Sequence, residues 1–195
     1  MARQAEISRI TRETEVRVSL ELDGSGQADI DTGVPFLDHM LHHVALHGLF
    51  DLTVHARGDV EVDDHHTVED VGIVLGQTLA QAVGERTGLT RYGSQLLPMD
   101  EALALVAVDV SGRSVLVYEA ELPAAKVGTF DTELVHEFLR ALSQHAGLTL
   151  HVRVLSGANT HHIIEAIFKA LGRALGQAVT LDARRADVPS TKGVL

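Results

Sequence analysis

A chain of 195 residues, 45% apolar and 22% charged, has room for one ordinary domain or for two small half-domains sharing a core, and has the composition of a soluble globular protein. Its formal charge of −11 argues against a nucleic-acid partner, since phosphate backbones reward clustered Lys and Arg. The absence of cysteine excludes disulfides, thiolate catalysis and thiolate-bound metals together. No apolar run is long enough to span a membrane, and the charged start MARQAEISRITRETE lacks the apolar core of a secretory signal, so a cytoplasmic protein with no membrane partner is expected. Twelve histidines stand against two tyrosines and no tryptophan, which leaves imidazole and carboxylate as the available metal ligands.

In chain order, alternating residues over Glu15–Leu22 predict a strand, and DGSG predicts a tight turn into a second one. Apolar residues at helical spacing over Phe36–Leu46 predict a helix, with His39, His43 and His47 one turn apart on one face. A short β run at Leu52–His55 follows, then a long amphipathic helix within His65–Gly84. The same plan then returns. Strand Ala102–Asp109, turn DVSGR, helix Thr132–Gln144, β run Leu148–Leu155 and helix His161–Val179 complete a second copy.

The two copies match in letter as well as in plan. HHTVEDVGIVLGQTLAQAV aligns without gaps to HHIIEAIFKALGRALGQAV, 96 positions on, and retains both histidines, the glutamate and the closing Gln-Ala-Val. The same spacing carries Leu52–His55 onto Leu148–His151, whereas Leu22–Gly26 meets Val108–Gly112 at a spacing of 86. The chain therefore reads as a duplicated module with a boundary near Gly88: a first α+β half at 1–88 and a second at 89–195. Each half is expected to be two-layered, a mixed sheet with two helices on one face, and the halves to pack through those helices.

The sharpest motif is His-His-x-x-Glu, at His65-His66-x-x-Glu69 and at His161-His162-x-x-Glu165. Positions four apart share a helix face, so His65 stands above Glu69 and His161 above Glu165. Adjacent side chains diverge by roughly 100°, so neighbouring histidines cannot easily grip one ion, and each motif should serve two metal centres. A single HHxxE at a helix start is commonly a polar cap. Its recurrence at matched positions of a repeat, in a His-rich and Cys-free chain, favours metal binding. Such a donor set suits six-coordinate manganese, and it also suits zinc. His39 and His43 are weaker candidates by spacing alone, and His136 carries no independent signal.

With these residues in view, the chain closely resembles the imidazoleglycerol-phosphate dehydratases over essentially its whole length. The carrying motifs are GVPFLDHML, HGLFDL, GDVEVDDHHTVED, MDEAL, DVSGR, NTHHIIEAIFKALGRAL and STKGVL, in this order. The resemblance implies two similar α+β halves like the second domain of ribosomal protein S5. It implies trimers assembling into a 24-subunit homo-oligomeric shell, with two Mn2+ ions per active site at subunit interfaces. By position, the implied metal ligands are His39, His65, His66, Glu69, His161, His162 and Glu165. A further family position falls at Glu137, beside His136, where some relatives carry His. At His42 and His43 the chain departs from relatives with Asp-Gln. Arg91, Arg113, Ser190, Thr191 and Lys192 fall at the implied phosphate-binding positions, and Glu13 at an active-site position.

The implied reaction, dehydration of imidazoleglycerol phosphate to imidazoleacetol phosphate in histidine biosynthesis, is a difficult elimination. The proton to be lost sits on a carbinol carbon with no carbonyl beside it, and hydroxide leaves poorly. A metal-bound imidazolate can expel the adjacent hydroxyl to give a diazafulvene-type intermediate, after which a carboxylate can remove the activated proton. Glu13, Glu69 and Glu165 are the acid/base candidates of this hydro-lyase, and the sequence leaves the division between them open. A dinuclear phosphoesterase would suit the same metal motif, as would a metal-storage protein, although the latter has no use for Arg91, Arg113 and Lys192.

Overall fold

The structure, a computed structural model, describes residues 3–193. Strands β1 (Gln4–Ile10), β2 (Thr14–Glu21) and β3 (Ala28–Asp31) open the chain, followed by helix α1 (Pro35–Gly48), strand β4 (Asp51–Gly58) and helix α2 (His65–Val83). The order repeats with β5 (Tyr92–Met99), β6 (Ala102–Asp109) and β7 (Val115–Glu119). A small hairpin, β8 (Lys126–Val127) and β9 (Phe130–Asp131), precedes α3 (Leu134–Ala146), β10 (Thr149–Ser156) and α4 (Thr160–Val179). The hairpin lies in the stretch where the sequence repeat changes its spacing by ten residues.

Each half carries a four-stranded mixed sheet, ordered β1-β2-β4-β3 and β5-β6-β10-β7. In both, the first three strands are antiparallel and the fourth runs parallel to its neighbour. Period-two patterning decides which face is covered: Val16, Val18 and Leu20 of β2 and Ala104, Val106 and Val108 of β6 point inward. Helix α2 lies on the first sheet and α4 on the second, while α1 crosses to pack on α4 and α3 on α2. The four helices thus form the shared interior, where Phe138 and Phe168 meet with ring centroids 5.4 Å apart. Two matched glycines permit those crossings. A Cβ on Gly76 would stand 2.8 Å from the Leu142 carbonyl oxygen, and one on Gly172 would stand 2.7 Å from that of Val44.

Three details differ from the sequence expectations. After the DGSG and DVSGR turns the chain does not pair back on the strand it has left, because β4 and β10 occupy that place and β3 and β7 lie beyond them. A parallel neighbour needs a crossover, which α1 and α3 supply. The edge strands β1 and β5 escaped the reading because Gln4–Ile10 buries only Ala5 fully, and Tyr92–Met99 contains Gly93 and Pro98.

The third difference concerns the strand match. Glu21 faces Gln4 and Asp51, while Asp109 faces Tyr92 and Thr149. Equivalent strand residues are therefore 88 and 98 apart rather than 86 and 96. A two-residue slip leaves inward and outward faces unchanged, so alternation cannot detect it. His55 accordingly matches Arg153, not His151. The shorter connection 157–159, against 59–64, restores the spacing of 96 at the helices.

Candidate metal centre and phosphate cluster

The two HHxxE motifs begin α2 and α4 under the same local device. The backbone N–H of His65 donates to Asp63 Oδ1 at 2.8 Å, and that of His161 to Asn159 Oδ1 at 2.9 Å. Asn159 is the N-cap of α4, while Asp63 stands one residue before the N-cap of α2, and both histidine pairs splay identically, with ring centroids 6.3 Å apart at 83°. The divergence expected from helical geometry is present at each motif.

On α4, Glu165 is 6% exposed and gathers side chains from two helices. Its Oε2 lies 3.1 Å from His161 Nε2 and 3.3 Å from His39 Nε2. Its Oε1 takes Lys169 Nζ at 2.5 Å, with His43 Nε2 at 3.6 Å. Burial pushes the Glu165 carboxyl up, but Lys169, His43 and His161 outweigh it and hold the group at about 2. Burial also takes the His43 pKa down to about 4, against the pull of Glu165. Donor atoms of His39, His43 and Glu165 all lie within 4.8 Å of one another. Two imidazoles and a carboxylate at this spacing fit a first-row divalent cation, and His161, 3.1 Å from Glu165 Oε2, adds a third imidazole beside them.

On α2, Glu69 has a different neighbourhood. Arg140 Nη2, from α3, donates at 2.7 Å to Glu69 Oε1 and at 2.7 Å to Glu137 Oε2. His136 Nδ1 sits 3.3 Å from the other Glu137 oxygen, with its ring against Tyr118. The second histidine of each motif turns outward to an acid. His66 Nδ1 lies 3.1 Å from Asp59 Oδ2 and 3.9 Å from Glu13 Oε2, and His162 Nδ1 lies 2.8 Å from Glu101 Oε2. Asp59 raises the His66 pKa and Glu101 raises that of His162. Glu101 is itself held at about 2 by His162 and by the Asn159 and Ala158 N–H groups.

The phosphate candidates form a separate cluster. Arg91 is 8% exposed and its guanidinium is largely engaged: Nε and Nη2 donate to the two Asp109 oxygens at 2.7 and 3.1 Å, and Nη1 to the Pro189 carbonyl at 2.7 Å. It thereby pins the tail that carries Ser190, Thr191 and Lys192. Arg113 remains exposed, with Nη2 3.5 Å from the same Asp109. Sequence reasoning missed Asp109, Glu101, Asp59 and Arg140 as site neighbours. Their partners lie 18, 61, 7 and 71 residues away; Asp59 and His66 share the motif GDVEVDDHHTVED, but spacing alone does not pair any of the four. Lys169 was legible, four residues after Glu165 on one helix face.

A family model described as imidazoleglycerol-phosphate dehydratase matches residues 32–175, which include both motifs, His39, Arg91 and Arg113. The chain belongs to the imidazoleglycerol-phosphate dehydratase family. A relative of that name from Desulforamulus reducens is 62% identical over 193 residues, 99% of this chain and 98% of its own. Another, from Desulforudis audaxviator, is 59% identical over 195 residues, 100% of this chain and 99% of its own. Among solved structures, the imidazoleglycerol-phosphate dehydratase of Staphylococcus aureus superposes with a TM-score of 0.84 at 46% identity, covering 92% of this chain and 99% of that one. The Pyrococcus furiosus enzyme, in complex with (S)-C348, gives 0.85 at 38% identity, covering 97% and 100%. The family fold is thus the duplicated α+β architecture described above. Among the described residues no helix is long and apolar enough to cross a membrane.

Proposed function

We propose that this chain is a manganese-dependent hydro-lyase of the cytoplasm that dehydrates imidazoleglycerol phosphate to imidazoleacetol phosphate in histidine biosynthesis. The observation that carries the reading is the convergence of His39, His161 and Glu165 on one carboxylate oxygen, in a chain of this family. His39, His161 and Glu165 hold one Mn2+, and His65 and Glu69 begin the second site, with His66 and His162 completing the pair from neighbouring copies in a 24-subunit shell of trimers. Bound metal would make the substrate's imidazole ring more acidic, so that the ring N–H proton and the adjacent hydroxyl could leave together as water.

The remaining work falls to side chains. Lys169 takes Glu165 Oε1, Glu165 Oε2 faces the ligand histidines His39 and His161, and Arg140 takes Glu69 Oε1. Glu13 is exposed, with its carboxylate 3.9 Å from His66. Glu13 is therefore the carboxylate best placed to take the proton from the second carbinol carbon, while Glu69 and Glu165 hold metal and pay for it in basicity. The diazafulvene-type intermediate loses that proton to give an enol, which tautomerises to the ketone. Arg113, Ser190, Thr191 and Lys192 bind the phosphate, and Arg91 positions the tail that presents three of them. This grip lies remote from the bond changes and supplies orientation.

The test is to supply imidazoleglycerol phosphate to chelator-stripped protein while Mn2+ is titrated. Saturable formation of imidazoleacetol phosphate without inorganic phosphate is expected. Release of inorganic phosphate would instead mark a phosphoesterase and overturn the reading.

A further inference from the structure

The two carboxylates of the repeated motif are held by unlike partners. Where α1 sets His39 against Glu165, the matched position of α3 sets an acid, Glu137, near Glu69. The match is fixed by the helix ends, since α1 and α3 both close on a left-handed residue, Leu49 and Gly147, one position after Gly48 and Ala146. Two facing carboxylates repel, and the repulsion needs a counter-charge. Arg140 provides it, with Nε and Nη2 both on Glu137 Oε2 at 2.9 and 2.7 Å and Nη2 also on Glu69 Oε1 at 2.7 Å. His136 takes the remaining Glu137 oxygen at 3.3 Å. Both Glu137 oxygens thereby have a partner, whereas Glu69 Oε2 has none among the described residues.

We propose that Arg140 is a positioning residue that turns Glu69 so that only Oε2 faces the metal, and that Glu137 serves to hold Arg140 rather than to ligate. The inference rests on the reading of Glu69 as a metal ligand. A fixed planar fork suits the task, because it orients two carboxylates at once, where a lysine would supply charge without direction. Partners that orient ligands in this way are commonly worth 10–100-fold in metal affinity.

The experiment titrates Mn2+ into the chelator-stripped, full-length protein and reads free Mn2+ by electron paramagnetic resonance. Wild type should show two classes of bound ion. Arg140→Gln should weaken one class about 10–100-fold and leave the other unchanged, which also shows that the variant has folded. Arg140→Lys should fail to restore the weakened class, and Glu137→Gln should weaken it less than Glu69→Gln does. Unchanged or tighter binding in Arg140→Gln, or full rescue by lysine, would overturn the proposal, because either would reduce Arg140 to a bystander or a mere counter-charge. A Glu137→Gln loss as large as that of Glu69→Gln would make Glu137 a ligand and also overturn it. If wild type binds no Mn2+ at all, the metal reading itself fails and the proposal goes with it.

Discussion

The two copies of the HHxxE motif start from the same side-chain bond to the first histidine's N–H and the same ring geometry, and they diverge one turn later. Glu165 is buried among His39, His43, His161 and the Lys169 on its own helix. Glu69 is more open and takes its cation from a different helix, through Arg140. The scaffold is common to both copies, and residues on the crossing helices α1 and α3, with Lys169 on α4, give the two carboxylates different surroundings. The lesson is that the motif sets which residue types begin each helix, whereas their electrostatics come from elsewhere: Lys169 on the same helix with α1 for Glu165, and Arg140 of α3 for Glu69.

The largest expected effect separates holding metal from moving a proton. Glu13→Gln should lower kcat by about 100–10,000-fold with Mn2+ content intact, whereas Glu165→Gln should lose activity together with metal. Full dehydration activity in Glu13→Gln, measured at saturating Mn2+, would return proton removal to Glu165 or Glu69. Chelation comes next. Metal present at 100 times its Kd adds about 2.7 kcal/mol to stability, so stripped protein should melt earlier and leave the assembled state. A stripped sample that stayed a full shell by light scattering, with an unmoved Tm, would sever metal from assembly.

The matched glycines test whether the crossings are equivalent. Gly76→Ala and Gly172→Ala each place a methyl group against a carbonyl oxygen of the facing helix and should each cost about 1–3 kcal/mol in denaturant unfolding. A large cost at one and none at the other would show that only one helix pair is tightly fitted. The smallest effect is confined to one turn. Asp51 accepts from the Ser25 and Gln27 N–H groups at 2.8 and 2.9 Å, whereas its counterpart Thr149 has only a hydroxyl, which lies 3.5 Å from Ser111 Oγ and donates to the Arg113 carbonyl at 3.3 Å. Those backbone bonds hold the Asp51 carboxyl below its ordinary 3.8. Its folded pKa is depressed, so the contribution is present above about pH 4 and is lost as pH falls through the lower folded value. Hydrogen exchange at Ser25 and Gln27 should quicken there, with no matching change around Ser111. Equal acceleration in both turns would contradict the assignment.

Much of this was legible in the chain. The duplication, the helix-packed halves and the facing of His161 and Glu165 follow from periodicity and from i, i+4 spacing, because helices impose a rigid register. Strand register was not legible, because a slip of two preserves every inward and outward face. The partners of Arg140, Asp109 and Glu101 were not legible for another reason: Asp109 and Glu101 stand within DVSGR and MDEAL, but tertiary folding, not spacing, brings Glu69, Arg91 and His162 to these three residues. Arg91 was visible as a phosphate candidate, yet its guanidinium is bound by Asp109 and the Pro189 carbonyl, which a motif cannot reveal.

Counting metal in the two half-sites bears most directly on the claim that both copies of the motif were kept for chemistry. Wild type, Glu69→Gln and Glu165→Gln would be loaded with Mn2+, desalted and assayed for bound metal per chain. Two ions in wild type, about one in each variant, and dehydration lost in both are the predicted results. Full occupancy in either variant would contradict the account, since one copy of the motif would then be a helix start and nothing more.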